Sequence, residues 1–157
     1  MPKGNAEVIE ALNDILSGEL TAINQYFLHA KMCQNWGLLR LYETLRAESI
    51  DEMKHADQLI DRILYLEGVP NVQRMNRVRI GQNVPEQFES DMGLELEAIP
   101  RLQTAITMCR EINDQGTALL LESILASEEE HVDWLEAQQD LIKTLGLENY
   151  LTQQVHA

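Results

Sequence analysis

The stretch ESIDEMKHAD, residues 48–57, sets a carboxylate and an imidazole three positions apart, at Glu52 and His55. On an α-helix, residues i and i+3 are neighbours on one face. Outward from this pair, Leu41, Leu45, Glu48, Glu52, His55, Leu59, Arg62 and Leu66 step by three and four, the helical period. Glu52 and His55 therefore stand in phases that leucine fills elsewhere. A second Glu-x-x-His lies at Glu128 and His131, within the series Leu121, Ile124, Glu128, His131, Leu135, Gln138, Ile142 and Leu145. Two more series each carry a glutamate in phase. One is Val8, Leu12, Ile15, Glu19, Ala22, Tyr26 and His29; the other is Phe88, Met92, Glu95, Ile99, Leu102, Ile106 and Cys109. Glu19 and Glu95 each precede the glutamate of a Glu-x-x-His by 33 residues.

Four helices follow from these series: α1 over 5–35, α2 over 39–67, α3 over 84–114 and α4 over 117–145. A short α5 is expected over 147–155. The intervals are rich in Leu, Ala, Glu and Gln, all good helix formers. Gly and Pro cluster between them, at Trp36-Gly37, Gly68-Val69-Pro70, Gly81 to Pro85, Gly116 and Gly146. No segment alternates with period two, so no sheet is expected. Pro100 falls inside α3, but the apolar series runs through it without a phase break, which predicts one bent helix. The α1–α2 and α3–α4 connections are short and make those pairs antiparallel neighbours. The α2–α3 connection, about 15 residues over 70–83, is long for a compact domain. It is long enough to run the length of the molecule and lay α3 parallel to α2. The fold class is all-α, a four-helix bundle with one long crossover and a short fifth helix. A shift of 76 residues superimposes Glu19 on Glu95, Glu52 on Glu128 and His55 on His131.

The length suits a single domain, 1–157. With 26 acidic and 12 basic residues the net charge is −14, which argues against nucleic acid and anionic membrane surfaces and favours cations. No apolar run approaches a membrane span. The start, MPKGNAEVIEALND, lacks the apolar core of a secretory signal. Cys33 and Cys109, far apart in the sequence, read as reduced core thiols.

Glu19, Glu52, His55, Glu95, Glu128 and His131 thus converge from four helices on the bundle interior. For any one of them, an exposed glutamate or a hydrogen-bonded core histidine is the ordinary reading. Together they form a cluster whose burial costs several kcal/mol unless a cation is bound. The only in-phase cation, Arg62, lies two turns further along α2. A lone glutamate on two helices with Glu-x-x-His on the other two is the ligand pattern of dimetal carboxylate bundles. Mixed carboxylate and imidazole ligands without thiolate suit iron or manganese rather than structural zinc.

ESIDEMKHAD recurs in a recognisable company: GELTAINQYFLHA at 18–30, NWGL at 35–38, LEGVPN at 66–71, EEEHVDWLE at 128–136 and GLENYL at 146–151. With these stretches the chain resembles bacterioferritin over nearly its whole length. Rubrerythrin, a related ferritin-like type, would require Cys-x-x-Cys pairs, which are absent. The resemblance implies a ferritin-like, cytoplasmic iron-storage protein with ferroxidase activity. Two non-haem irons would be bridged by Glu52 and Glu128. Glu19 and His55 would complete one site, Glu95 and His131 the other, with Tyr26 close by. Fe(II) would be oxidised by oxygen or hydrogen peroxide and stored as ferric mineral in a 24-subunit homo-oligomeric shell built from twofold dimers. Met53 would bind haem b iron together with its twofold mate, in a pocket lined by Ile23, Asn24, Phe27 and Ile50. A small ferredoxin would be the electron donor for iron release. On residues alone, Met53 and these four read equally as exposed or dimer-contact side chains. The alternative to a ferroxidase is a haem-binding shell subunit that relies on partner chains for oxidation. Two positions depart from the family pattern: Ala47 replaces a histidine, and Thr152 stands where glutamine is common.

Overall fold

The computed structural model describes residues 4–157, so Met1, Pro2 and Lys3 of the leader reading lie outside the described residues. The helices are α1 Ala6–Asn35, α2 Leu39–Tyr65, α3 Val84–Glu111, α4 Gln115–Leu145 and α5 Leu147–Thr152. Each long helix but α2 starts on a side-chain cap that satisfies otherwise orphaned N–H groups. The Asn5 carbonyl accepts from Glu7 N at 2.8 Å, that of Asn83 from Glu86 N at 3.0 Å, and the Asp114 carboxylate from Thr117 N at 3.1 Å. Glu67 and Asn113 adopt left-handed φ values of 64° and 65°, ending α2 and α3 a few residues before the sequence pattern fades. α3 runs unbroken through Pro100, which is exposed, as is Leu96, the residue whose carbonyl loses its partner there. No described helix is long and apolar enough to cross a membrane.

The crossover between α2 and α3 lies along α1, held by polar side chains spaced four apart on that helix. Asn13 accepts from Asn71 N at 2.8 Å and Ser17 from Arg74 Nε at 3.0 Å. Thr21 accepts from Asn76 N at 2.8 Å, Gln25 from Arg79 N at 2.9 Å and His29 from Gly81 N at 3.0 Å. The crossover therefore travels in the direction of α1 and returns the chain to the end where α2 began. α3 consequently runs parallel to α2 and antiparallel to α1, as its contacts Cys33–Gln87 and Tyr26–Glu95 require.

The core has two apolar halves. Val8, Leu12, Leu59, Ile63, Leu121 and Ile124 belong to one; Leu41, Leu45, Phe88, Leu135 and Tyr150 belong to the other. Each fully buried side chain of this kind contributes roughly 1.5–3 kcal/mol. α5 closes the second half, its Tyr150 ring packed edge-on to Phe88 and its hydroxyl donating to Gln138 Oε1 at 2.6 Å. Between the halves lies a layer of buried polar groups. Arg62 does not join it: its guanidinium donates to Thr117 Oγ1 and Asp114 Oδ1, tying α2 to the start of α4.

Candidate metal centre

All six in-phase ligand candidates are buried, and all six meet. His55 Nδ1 lies 3.3 Å from Glu128 Oε1, 3.5 Å from Glu19 Oε2 and 3.6 Å from Glu52 Oε2. His131 Nδ1 lies 3.1 Å from Glu52 Oε1, 3.6 Å from Glu95 Oε1 and 4.0 Å from Glu128 Oε1. Two groups able to hold a cation result: Glu19, Glu52, His55 and Glu128, and Glu52, Glu95, Glu128 and His131. Within each group the ligand atoms lie within 4.8 Å of one another. Glu52 and Glu128 belong to both, because their helices, α2 and α4, are neighbours across this layer and each also brings the histidine one turn on.

These contacts are close without being good hydrogen bonds. Glu19 Oε2, both Glu52 oxygens, His55 Nδ1, Glu95 Oε2, Glu128 Oε1 and both His131 nitrogens are buried with no hydrogen-bond partner. Proteins rarely leave so many polar atoms unpaired. Lone pairs aimed at a common point are what a cation requires, so the donor set fits two metal ions.

The electrostatics agree. Burial alone would raise Glu52, but the His131 and His55 imidazoles draw it down to about 2. Burial and the facing Glu52 and Glu95 push Glu128 well above the usual carboxylate range. Burial disfavours a charged His131, yet Glu52, Glu95 and Glu48 raise it to about 11. Without metal, a proton on His131 supplies part of the missing positive charge.

Tyr26 was placed near the centre, and its hydroxyl donates to Glu95 Oε1 at 2.7 Å while its ring stands edge-on to His131. Burial, with Glu95, Glu48 and Asp91, raises its pKa far above 10, which keeps it a donor. Glu48 and His29 stand in the same helical phases as the ligands but were given no role there. Glu48 is buried one turn before Glu52. His29 accepts from Gly81 N through Nε2, so its Nδ1 carries the proton toward Asp91 Oδ1 at 2.9 Å. Asp91, which also accepts from Gln25 Nε2 at 2.9 Å, lies one turn before Glu95. Spacing of four from Glu95 was the available signal for it.

The proposed haem residues lie elsewhere, on the outer side of α1 and α2. Met53 is 56% exposed and Phe27 48% exposed. Asn24 is exposed and donates to Leu20 O at 2.9 Å, while Ile23 and Ile50 are half-buried. One chain gathers them on an open face rather than into a closed pocket. Cys33 and Cys109 are free and buried, burial pushes the Cys33 thiol up to about 12, and neither belongs to the two ligand groups. Ala47 and Thr152 are exposed.

A family model for the ferritin-like domain matches residues 9–145. Over 151 residues the chain is 54% identical to bacterioferritin of Mycolicibacterium paratuberculosis, covering 96% of this chain and 95% of that one. It is 53% identical over 150 residues to bacterioferritin of Streptomyces coelicolor, covering 96% and 90%. Bacterioferritin of Brucella melitensis is 45% identical over 148 residues, covering 94% and 92%.

Proposed function

The chain belongs to the ferritin-like family, among the bacterioferritins, and from that premise we propose that it stores iron after oxidising Fe(II) at the centre enclosed by α1–α4. The observation that carries this reading is the pair of four-residue groups sharing Glu52 and Glu128, with eight buried polar atoms left unpaired around them. Fe(II) is the substrate. Glu19 and His55 hold one ion, Glu95 and His131 the other, and Glu52 and Glu128 contact both. Four ionised carboxylates balance the charge of two Fe(II) ions, which offsets the cost of burying them. The two electrons released reduce one dioxygen to hydrogen peroxide, or one hydrogen peroxide to two waters, with two protons taken up. Tyr26 fixes the orientation of Glu95 through its hydroxyl. Ferric product hydrolyses and collects as mineral within a 24-subunit shell in the cytoplasm, each chain acting as one domain, 1–157.

The outward face around Met53 fits haem b shared between two chains. A thioether is exposed there, with the apolar Phe27 on the same face and no competing charge on either side chain. Met53 would hold the haem iron through its thioether sulfur, one from each chain, with Ile23, Asn24, Phe27 and Ile50 forming the surrounding pocket. Bound haem would supply an electron path for iron release, fed by a small ferredoxin. The test of the centre is a crystal soaked with Fe(II) and measured at the iron absorption edge. Two anomalous peaks per chain are expected, roughly 2.0–2.3 Å from the six ligand side chains. Peaks absent from this layer, or bound by other residues, would sink the reading.

A further inference from the structure

The centre opens outward through a narrow pocket of about 20 Å³. Glu19, Glu52, Glu95 and Glu128 line its inner part; Gly18, Asn76, Glu97 and Arg101 also border it, and Asn76 and Glu97 are exposed. Arg101, half-buried, lies against α1 at Gly18, one residue before Glu19. A Cβ at Gly18 would come within 2.7 Å of Arg101 Nη1, so the guanidinium occupies space that any other residue would fill. Arg62, Arg74, Arg79 and Arg110 each pair with an Asp or Glu. Arg101 has no such partner among the described residues. It shares the lining of one pocket with the four carboxylates of the centre.

We propose that Arg101 is an electrostatic gate for cations entering the centre. Its guanidinium is drawn over the mouth by the negative field of the centre without metal, against the bare backbone of Gly18. Each incoming divalent ion must displace it, against both its bulk in a narrow passage and its like charge. Once cations sit below, the attraction that seats Arg101 disappears and the mouth opens. Arg101 thereby limits the rate of filling while leaving the ligands themselves untouched. This rests on the reading of the centre as a site for two Fe(II) ions.

The experiment uses Co(II), which is not oxidised by the centre and reports its coordination by visible absorbance. Stopped-flow filling is compared in the assembled wild-type protein, Arg101→Gln, Gly18→Ala and Lys143→Gln. Arg101→Gln is expected to fill about three- to tenfold faster, the effect of removing one like charge beside a divalent ion's path. Gly18→Ala keeps the net charge but displaces the flexible end of Arg101 and is expected to fill faster as well. Alanine is tolerated in a helix better than glycine, so this variant should fold. Lys143→Gln removes a charge about 18 Å further along α4 from His131 and should fill at the wild-type rate. Equal acceleration in Arg101→Gln and Lys143→Gln would reduce the effect to net charge and overturn the gate. So would wild-type rates in both Arg101→Gln and Gly18→Ala. Equilibrium titration separates the two readings. Failure of the wild type to bind two Co(II) per chain removes the dimetal centre itself, whereas two bound ions with rates indifferent to Arg101 remove only the gate.

Discussion

Replacing Glu48 by Gln should make the metal-free protein more stable, and only at higher pH. Glu48 is buried beside the ligand layer, and its Oε2 has no hydrogen-bond partner. Burial raises its carboxyl from 4.5 to about 8; His131 opposes the rise, and Asp91, Glu95 and Asp51 add to it. Between those values the folded protein holds a proton that the unfolded chain has released. The stability associated with this group is therefore intact below pH 4.5, declines as pH rises, and levels off above about 8. At about 1.4 kcal/mol per pH unit, the loss across that window is on the order of 5 kcal/mol. That is a large part of the roughly 5–15 kcal/mol by which domains are stable. Glutamine keeps the shape and remains neutral, so the variant should match the wild type at pH 5. Above pH 8 it should melt higher by about 10 °C or more, at about 2–4 °C per kcal/mol for a chain of this size. Circular dichroism melts of metal-free protein from pH 5 to 9 provide the comparison. An offset that is constant with pH, or one that favours the wild type as pH rises, would refute the reasoning.

Two substitutions bear on the proposed sites. Glu128→Ala removes a side chain common to both metal groups, so stopped-flow Fe(II) oxidation should fall to the rate in buffer. The fold should persist or gain stability, since one of several mutually repelling carboxylates is gone; oxidation at the wild-type rate would remove Glu128 from the ligand set. Met53→Leu preserves volume and apolar character, a swap that usually costs under about 1.5 kcal/mol. It should leave assembly intact by size-exclusion chromatography while abolishing the haem absorbance, and an unchanged haem spectrum would end the assignment of Met53 as the residue that holds haem iron.

Much of this was legible before any coordinates because helical phase is a strict filter. Six polar residues in leucine positions on four helices pointed to one layer, and the layer is there. The length of the α2–α3 connection pointed to a crossover and a parallel α3, which the contacts of α1 with α3 bear out. Other features depend on partners that sequence spacing does not link. Asp91 is explained by His29, 62 residues earlier, and Gln25. Arg101 is explained by the missing Cβ of Gly18. Gly116 read as a stop before α4, yet it lies inside the helix. Arg62 Nη2 approaches to 2.7 Å of where its Cβ would be, so the glycine answers to a tertiary contact rather than to a helix boundary. α5 proved shorter than its apolar pattern, ending at Thr152.

The crossover behaves as a vernier set against α1. Its rungs fall at Asn71, Arg74, Asn76, Arg79 and Gly81, advancing three, two, three and two residues, while α1 advances four each time, from Asn13 to His29. Sixteen helical residues cover about 24 Å, so the crossover spends about 2.4 Å per residue. A strand would spend about 3.3 Å, so the segment is more contracted than a strand, yet matched to a fixed scale. One residue inserted before Asn71 leaves every rung in place. One residue inserted after it displaces all later rungs, and the misfit accumulates at Gly81, His29 and Asp91, one turn from Glu95. Connecting segments are ordinarily where a fold tolerates changes in length. In this chain the length between Asn71 and Gly81 is as constrained as that of a helix, because it sets the register at which α3 presents its carboxylates to the other three.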